Sequence, residues 1–151
     1  MTTHRRILVF TALALVGVSS TATAAGGRAD SGTAWLSANH SAGGLLIVSG
    51  DVQDKILGRA AIVYRIKATA ATPGTVNATS KSVTLYTKNG SLTGTGSAVE
   101  TFNADGTSTV TNGKISLKKG TSKMTGHSLV GTFSGTYANG IYTFTYKATY
   151  K

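Results

Sequence analysis

The side chains that could perform acid–base chemistry in this sequence are few and widely spaced. The carboxylates that follow the first 25 residues are Asp30, Asp51, Asp54, Glu100 and Asp105. A hydrolase that works with two carboxylates needs both of them positioned across one cleft. Only Asp51 and Asp54 are close in sequence, and their surroundings predict a loop, while Asp105 belongs to a turn sequence. The sequence therefore argues against a paired-carboxylate hydrolase.

Metal binding, nucleophilic catalysis and phosphate binding find little support in the residue types. The chain has no cysteine, and beyond the first 25 residues its histidines, His40 and His127, lack the spacing of metal ligands. There is no Gly-x-Ser-x-Gly elbow, and Gly94-Thr95-Gly96 lacks the Lys-Ser/Thr ending of a phosphate-binding loop. We expect no metal ion and no cofactor. A non-catalytic role is favoured, and enzymatic activity stays open.

The remaining candidates are aromatic, and their use depends on the strands that position them. The last quarter of the chain contains Asn139-Gly140, the dipeptide most typical of a two-residue hairpin turn. Pairing outward from this turn places Gly135 opposite Phe144 and Phe133 opposite Tyr146 on one face, with Thr, Ser and Lys on the other. A glycine opposite a large ring allows a sheet to bend. The hairpin therefore favours a curved sheet or barrel.

Two earlier Asn-Gly dipeptides carry the same turn signal. Asn89-Gly90 and Asn112-Gly113 are each flanked by strand-like sequence and predict two more hairpin tips. The first of these registers would place Leu85 opposite Gly94, again an apolar side chain against a glycine. The two neighbouring hairpins assign different inward positions to the same strand, and the two assignments conflict between Ser97 and Val99. This predicts a β-bulge there.

The pattern of strands and turns predicts the fold class. Gly58 to Ala68 alternates apolar and polar residues, with Tyr64 on the apolar face. Pro73-Gly74 marks a turn, and Gly26 to Gly32 is predicted to be a flexible lead-in. Such turns separate eight or nine short strands, which is typical of an all-β chain. We predict an eight-stranded antiparallel meander that closes as a barrel, with a β-sandwich as the alternative.

Residues 1–25 have the features of a secretory signal peptide. Arg5 and Arg6 precede an uncharged, mostly apolar run from Ile7 to Val18, and Ala22-Thr23-Ala24 is a small-x-small cleavage sequence. The apolar run is shorter than the roughly 20 residues that span a bilayer. We expect cleavage after Ala24 or Ala25, a secreted protein without a transmembrane segment, and a single β-barrel domain over residues 26–151.

The charge of the chain is strongly basic. It has 15 Lys and Arg against 5 Asp and Glu, and removal of Arg5 and Arg6 leaves a net charge of +8. A basic balance favours anionic partners, such as an anionic cell-envelope polymer, although it can also serve solubility alone. The basic residues form one local cluster, Lys118, Lys119 and Lys123, which is the candidate anion-binding site. No specific nucleic-acid site is predicted.

The rhythm of glycine, threonine and aromatic residues in the C-terminal part of the chain resembles that of a known group of barrels. The residues concerned are Gly120-Thr121-Ser122-Lys123, Gly126, Gly131-Thr132-Phe133, Gly135-Thr136-Tyr137 and the segment from Tyr142 to Tyr150. In these the chain resembles small secreted bacterial proteins of the allene oxide cyclase-like, dirigent-like type. The resemblance implies an eight-stranded antiparallel barrel with an interior cavity. Plant members guide radical coupling or cyclise a fatty-acid epoxide, but no residue here matches their functional positions.

Three functions follow as hypotheses. The first is a non-catalytic binding module that holds a small apolar molecule in a cavity lined by Tyr64, Phe133, Phe144 and Tyr146. Eight-stranded barrels of this size can hold one small ligand, but their interiors can also be filled by side chains. The second is a basic surface protein that binds an anionic envelope polymer. The third is a dirigent-like or cyclase-like enzyme, for which only Tyr hydroxyls, Arg59 and Arg65 offer polar groups.

Overall fold

A computed structural model describes residues 26–151 and shows one closed antiparallel β-barrel. Each strand pairs with the next, and the last strand pairs with the first. The strands are β1 (Arg28–Ala42), β2 (Leu45–Asp54), β3 (Gly58–Thr72), β4 (Thr75–Thr87), β5 (Gly90–Phe102), β6 (Ser108–Gly120), β7 (Leu129–Ala138) and β8 (Ile141–Tyr150). The prediction of an all-β eight-stranded barrel is confirmed, and the sandwich alternative is wrong. The predicted signal peptide lies outside the described residues.

The closing hairpin between β7 and β8 has the predicted register. Gly135 pairs with Phe144 and Phe133 pairs with Tyr146. Asn139 and Gly140 have φ angles of 53° and 83°, the left-handed values that a two-residue turn of this kind requires. Because side chains alternate along a strand, one register sorts the aromatic residues to the barrel interior and Thr, Ser and Lys to the exterior.

The predicted contact between a glycine and an aromatic ring is present in this hairpin. A Cβ atom added to Gly135 would lie 2.6 Å from Cδ1 of Phe144 and closer still to the carbonyl oxygen of Thr143. No side chain fits at that position unless the ring and the neighbouring backbone both move. Glycine there lets the ring of Phe144 lie over bare backbone inside the barrel.

The other two Asn-Gly predictions need correction. Asn112-Gly113 is not a hairpin tip but lies inside β6, where Asn112 has a φ of 52°. The register shifts at this point against both neighbouring strands, opposite Ser97–Val99 on one side. The bulge predicted near Ser97–Val99 is therefore present, but its extra residue lies on β6. A left-handed Asn followed by Gly suits such a bulge as well as it suits a turn.

The Asn89-Gly90 hairpin exists with a different register. Thr87 pairs with Gly90, so the turn residues are Lys88 and Asn89, and Leu85 faces Leu92 rather than Gly94. A shift of two residues keeps every side chain on its predicted face. The lead-in prediction for Gly26 to Gly32 is also wrong from Arg28 onward, because those residues already pair with β8.

The two ends of the barrel differ in how they are filled. At one end, here called the closed end, the single-turn 3₁₀ helix Ser122–Met124 follows β6, and Met124 is buried. The aliphatic residues of this half are 0–9% exposed: Leu57, Leu85, Leu92, Leu117, Met124 and Leu129. The opposite end, here called the open end, holds the turns that follow β1, β3, β5 and β7. The stable core of the molecule therefore lies toward the closed end.

Candidate functional site

The open half of the barrel contains an apolar cavity of about 70 Å³. Tyr64, Phe133 and Phe144 lie at its inner limit, with the ring centre of Phe133 6.5 Å from that of Tyr64 and 5.3 Å from that of Phe144. The aliphatic lining comes from Leu36, Leu46, Val48, Ile66, Val76 and Val110. Alternation along each strand places these residues inside, and the small side chains of Ala78 and Ala98 leave the space unfilled.

A single carboxylate projects into this cavity. Glu100 Oε1 accepts hydrogen bonds from the Ser108 hydroxyl at 2.5 Å and from the Tyr142 hydroxyl at 3.1 Å. Burial, followed by the charge of Glu100, raises the pKa of Tyr142, so its phenol stays protonated and donates. Both donors use the same oxygen, which leaves Oε2 for a donor on a ligand. The cavity can therefore bind an apolar body and one polar donor group.

A second acidic group lies at the closed end, in a different environment. Asp54 Oδ1 accepts the backbone N–H groups of Ile56 at 2.8 Å and Leu57 at 2.6 Å, and its Oδ2 accepts the Tyr146 hydroxyl. Asp30 Oδ1 accepts the N–H of Ser31 at 2.8 Å, whereas its Oδ2 is buried without a partner. Burial, followed by the charge of Asp54, raises the pKa of Asp30. A proton on Oδ2 would turn this orphaned acceptor into a donor.

The predicted ligand-binding residues come together in the structure. Tyr64, Phe133, Phe144 and Tyr146 all border a small void of about 20 Å³ at the centre of the barrel. The first three also line the open cavity. The hydroxyl of Tyr146 belongs instead to the closed-end acid group, and burial, followed by its hydrogen bond to Asp54, raises its pKa. The four residues thus form an aromatic layer between the two halves.

The predicted anion-binding lysines lie on the outside. Lys118 and Lys119 are exposed near the end of β6, and Lys123 is exposed in the 3₁₀ helix. The backbone N–H of Lys123 donates to the carbonyl of Asn89 at 3.1 Å, which ties this helix to the β4–β5 turn. Arg59 and Arg65 are also exposed, so they offer no polar group to the interior.

Sequence reasoning missed both interior acid groups. It placed Asp54 in a loop, but Asp54 ends β2 and is 2% exposed. The alternation of inward and outward residues contained the signal. Asp54 lies an even number of residues after the inward Val48 and Val52, and Asp30 lies an even number of residues before the inward Ala34. Pairing Asp54 with Asp30 required knowledge of the β1–β2 register, which no turn dipeptide specifies.

Charge is divided between the interior and the exterior of the barrel. All thirteen Lys and Arg residues of the described part are exposed. Of the five carboxylates, Asp30 and Asp54 are buried and Glu100 is half-buried inside, so only Asp51 and Asp105 are exposed. The exterior therefore carries thirteen basic against two acidic side chains, a net +11. This surface is more positive than the +8 of residues 26–151 as a whole indicates.

Two further structural findings bear on function. Among residues 26–151, no three His, Cys, Asp or Glu side chains lie close enough together to hold a metal ion. No helix in this part of the chain has the length and apolar character needed to cross a membrane. Comparison of the chain with protein-family models, curated proteins and solved structures gave no match.

Proposed function

We propose that this protein is an exported, non-catalytic binding module that holds a small apolar molecule in the open half of its barrel. The observation that carries the proposal is the unfilled apolar cavity with a single carboxylate, Glu100, at its wall. The likeness to allene oxide cyclase-like and dirigent-like barrels points the same way, since such barrels have interior cavities.

The size of the cavity limits the ligand. A volume of about 70 Å³ is well below the roughly 300–1,000 Å³ of pockets that enclose drug-sized molecules. The ligand is therefore a small molecule, or a longer one that enters end-on and leaves its remainder at the open end. Its donor group, a hydroxyl or an amine, hydrogen-bonds to Glu100 Oε2.

The first experiment is native mass spectrometry of the protein purified from the medium of its own host. We expect a retained small molecule whose mass is lost on denaturation. A ligand that is chemically altered on incubation would favour the cyclase-like enzyme instead. Absence of any bound molecule, together with no binding from a panel of small apolar alcohols and amines, would overturn the proposal.

Two pairs of variants test the location of the ligand. Ala98→Leu fills the cavity and should abolish binding, whereas Ala61→Leu makes the same change on the exposed face of β3 and should not. Glu100→Gln keeps the shape of the side chain and should weaken binding of a donor-bearing ligand about tenfold, the loss of one charge-assisted hydrogen bond. Asp105→Asn, in an exposed turn, is the matched control. Equal binding by all four variants would place the ligand elsewhere.

A second candidate function is favoured by the separation of charge. An exterior net charge of +11 on a protein of this size attracts an anionic envelope polymer, and Lys118, Lys119 and Lys123 contribute to it. Binding of an anionic polymer should weaken steeply as salt rises. Binding that does not respond to salt, or no binding at low salt, would exclude this function.

Export itself is tested by N-terminal sequencing of the protein recovered from the host medium. The basic, apolar and small-residue order of residues 1–25 leads us to expect a mature chain that begins at Ala25 or Gly26. Recovery only from inside cells, with Met1 or Thr2 at the N-terminus, would contradict export.

A further inference from the structure

A groove of about 1220 Å³ runs around the outside of the barrel at its waist. It crosses six neighbouring strands, from β4 through β8 to β1, and each strand contributes three consecutive residues. The middle residue of each triplet points inward, so the floor is backbone, and the two flanking residues point outward and form the walls. Strands lie about 4.8 Å apart, so the groove is about 24 Å long. Its length suits an extended chain rather than a compact molecule.

The two walls follow the pairing register from strand to strand. One wall is formed by residues that pair in sequence around the barrel: Thr79, Ser97, Lys114, Thr132, Lys147 and Ser31. The other is formed by Asn77, Val99, Asn112, Ser134, Thr145 and Thr33. Eleven of these twelve side chains are polar, none is buried, and neither wall contains an Asp or Glu.

The groove contains a backbone irregularity as well as polar side chains. The β6 bulge at Asn112-Gly113 lies within it, and Asn112 has a φ of 52°. β-Bulges re-aim side chains and are over-represented beside functional sites. Here the bulge shifts the register of β6 against β7, and the exposed Asn112 lies between the Val99 and Ser134 positions of the wall.

We propose that this waist groove binds an acidic polysaccharide, with Lys114 and Lys147 contacting its anionic groups and the Ser, Thr and Asn side chains hydrogen-bonding its sugar hydroxyls. The inference rests on the second candidate function, because it needs an anionic partner, and it adds the position and the chemistry of that partner. Lys114 and Lys147 flank Thr132 in one wall, about 10 Å apart across two strand spacings. They therefore present two charges along one line.

The lining favours a sugar polymer over a nucleic acid. Single-stranded nucleic acids are held by aromatic side chains on which bases stack, together with many cations. The outward-facing walls of the groove contain no aromatic side chain and only two cations.

The experiment measures binding of the protein to an oligogalacturonate, to a neutral oligoglucoside of the same length and to single-stranded DNA, at several salt concentrations. The acidic sugar should bind with an affinity that falls as salt rises, and the neutral sugar should bind weakly. DNA binding as tight as that of the oligogalacturonate would show that the groove does not recognise sugars and would overturn the proposal.

Matched charge variants separate the groove from the rest of the basic surface. Lys114→Gln with Lys147→Gln should weaken oligogalacturonate binding about tenfold and reduce the dependence on salt. Lys88→Gln with Lys151→Gln removes the same charge from exposed positions outside the groove and should weaken binding no more than about twofold. Equal losses in the two double variants would retain the polyanion function and refute the groove. No binding by the wild-type protein would refute both.

A second pair of variants tests the groove without removing a lysine. Thr132→Glu places a negative charge between Lys114 and Lys147 and should weaken binding about tenfold. Thr136→Glu makes the same change on the same outward face of β7, about 13 Å along the strand, and should leave most of the binding. Comparable loss in both variants would show that only overall charge matters. Thermal unfolding of each variant establishes that the barrel remains folded.

Discussion

The closed and open ends of the barrel use the same strands for different purposes. The closed end packs aliphatic side chains below the aromatic layer, where only about 20 Å³ is left empty, and holds Asp54 with hydrogen bonds from turn N–H groups and a tyrosine. The open end is lined by aromatic rings around about 70 Å³ of space, and its carboxylate, Glu100, is only half-buried. The comparison teaches that one barrel can concentrate its buried core in one half and leave space unfilled in the other.

The largest effect is expected from a cavity made in the closed half. Leu117 is 0% exposed, so Leu117→Ala should lower the free energy of unfolding by about 3–5 kcal/mol. Urea unfolding measures it. A loss below about 0.5 kcal/mol, the range of a typical surface change, would show that the closed half is not the stable core.

A side chain added at the hairpin glycine comes next. In Gly135→Val the new Cβ would collide with the carbonyl oxygen of Thr143 and would lie 2.6 Å from Cδ1 of Phe144. Because one of these atoms belongs to the backbone, we expect a loss of about 3 kcal/mol in urea unfolding. Thr136→Val, the neighbouring outward position, should be nearly neutral. A neutral Gly135→Val would mean that the ring does not cover the glycine.

Removal of the ring at the boundary between the halves should cost less. Phe144 faces Gly135 inside the barrel but is only half-buried, because it borders the open cavity. We expect Phe144→Ala to lose about 2 kcal/mol, below the 3–5 kcal/mol range of a fully buried phenylalanine, and to accept a larger ligand. If Phe144→Ala costs more than Leu117→Ala, the open half is packed like the core and the comparison fails.

The acid pair of the closed end predicts a dependence on pH. The raised pKa of Asp30 means that its protonated form favours the folded state. That stabilisation is complete below the unfolded-state pKa of about 3.9 and is lost as pH rises through the folded-state pKa. Asp30→Asn keeps the acceptor for Ser31 and supplies a donor where the proton would lie, so it should gain roughly 1 kcal/mol at neutral pH.

Urea unfolding at several pH values checks this expectation. The advantage of Asp30→Asn over the wild type should shrink as pH falls toward about 4. Asp105→Asn is the control, because hydrogen bonds from Thr107 lower the pKa of this exposed carboxyl and its loss brings no gain at neutral pH. If Asp30→Asn is less stable than the wild type at neutral pH, the Asp30 carboxyl is held ionised and the expectation is wrong.

The smallest effect is expected on the outer face of the closing hairpin. Thr145 is exposed beside the inward Phe144, so Thr145→Ala should change the unfolding free energy by about 0.5 kcal/mol or less. A loss larger than that of Phe144→Ala would reverse the assignment of the two faces and remove the barrel interior as a site.

The sequence allowed the fold to be predicted because turn chemistry and alternation agree along most of the chain. The register of β7 and β8 followed from Asn139-Gly140, and the inward face of β3 followed from its alternation. The prediction failed at Asn112-Gly113, since a left-handed Asn followed by Gly is compatible with a bulge as well as with a turn. The Asn and Gly residues alone do not decide between a bulge and a turn. The length of the strands that pair on either side decides it.

The candidate sites were predictable only in part, for a related reason. The aromatic layer came from alternation within single strands. The acid groups depend on pairs that are distant in sequence, such as Glu100 with Tyr142 and Asp54 with Tyr146. The waist groove depends on the register of six strands at once. Such relations arise from ring closure and have no local signature.

The pairing of β1 with β8 has a consequence for how the chain folds. One edge of β1, over the ten residues from Arg28 to Ser37, finds its partners only in the segment from Ile141 to Tyr150. Until that segment is available, β1 presents an unpaired edge to any other strand nearby. Closing a loop of more than a hundred residues is slow compared with forming hairpins. The half-formed sheet is therefore the state in which this protein is most exposed to aggregation, and in which a chaperone that covers β1 would be most effective.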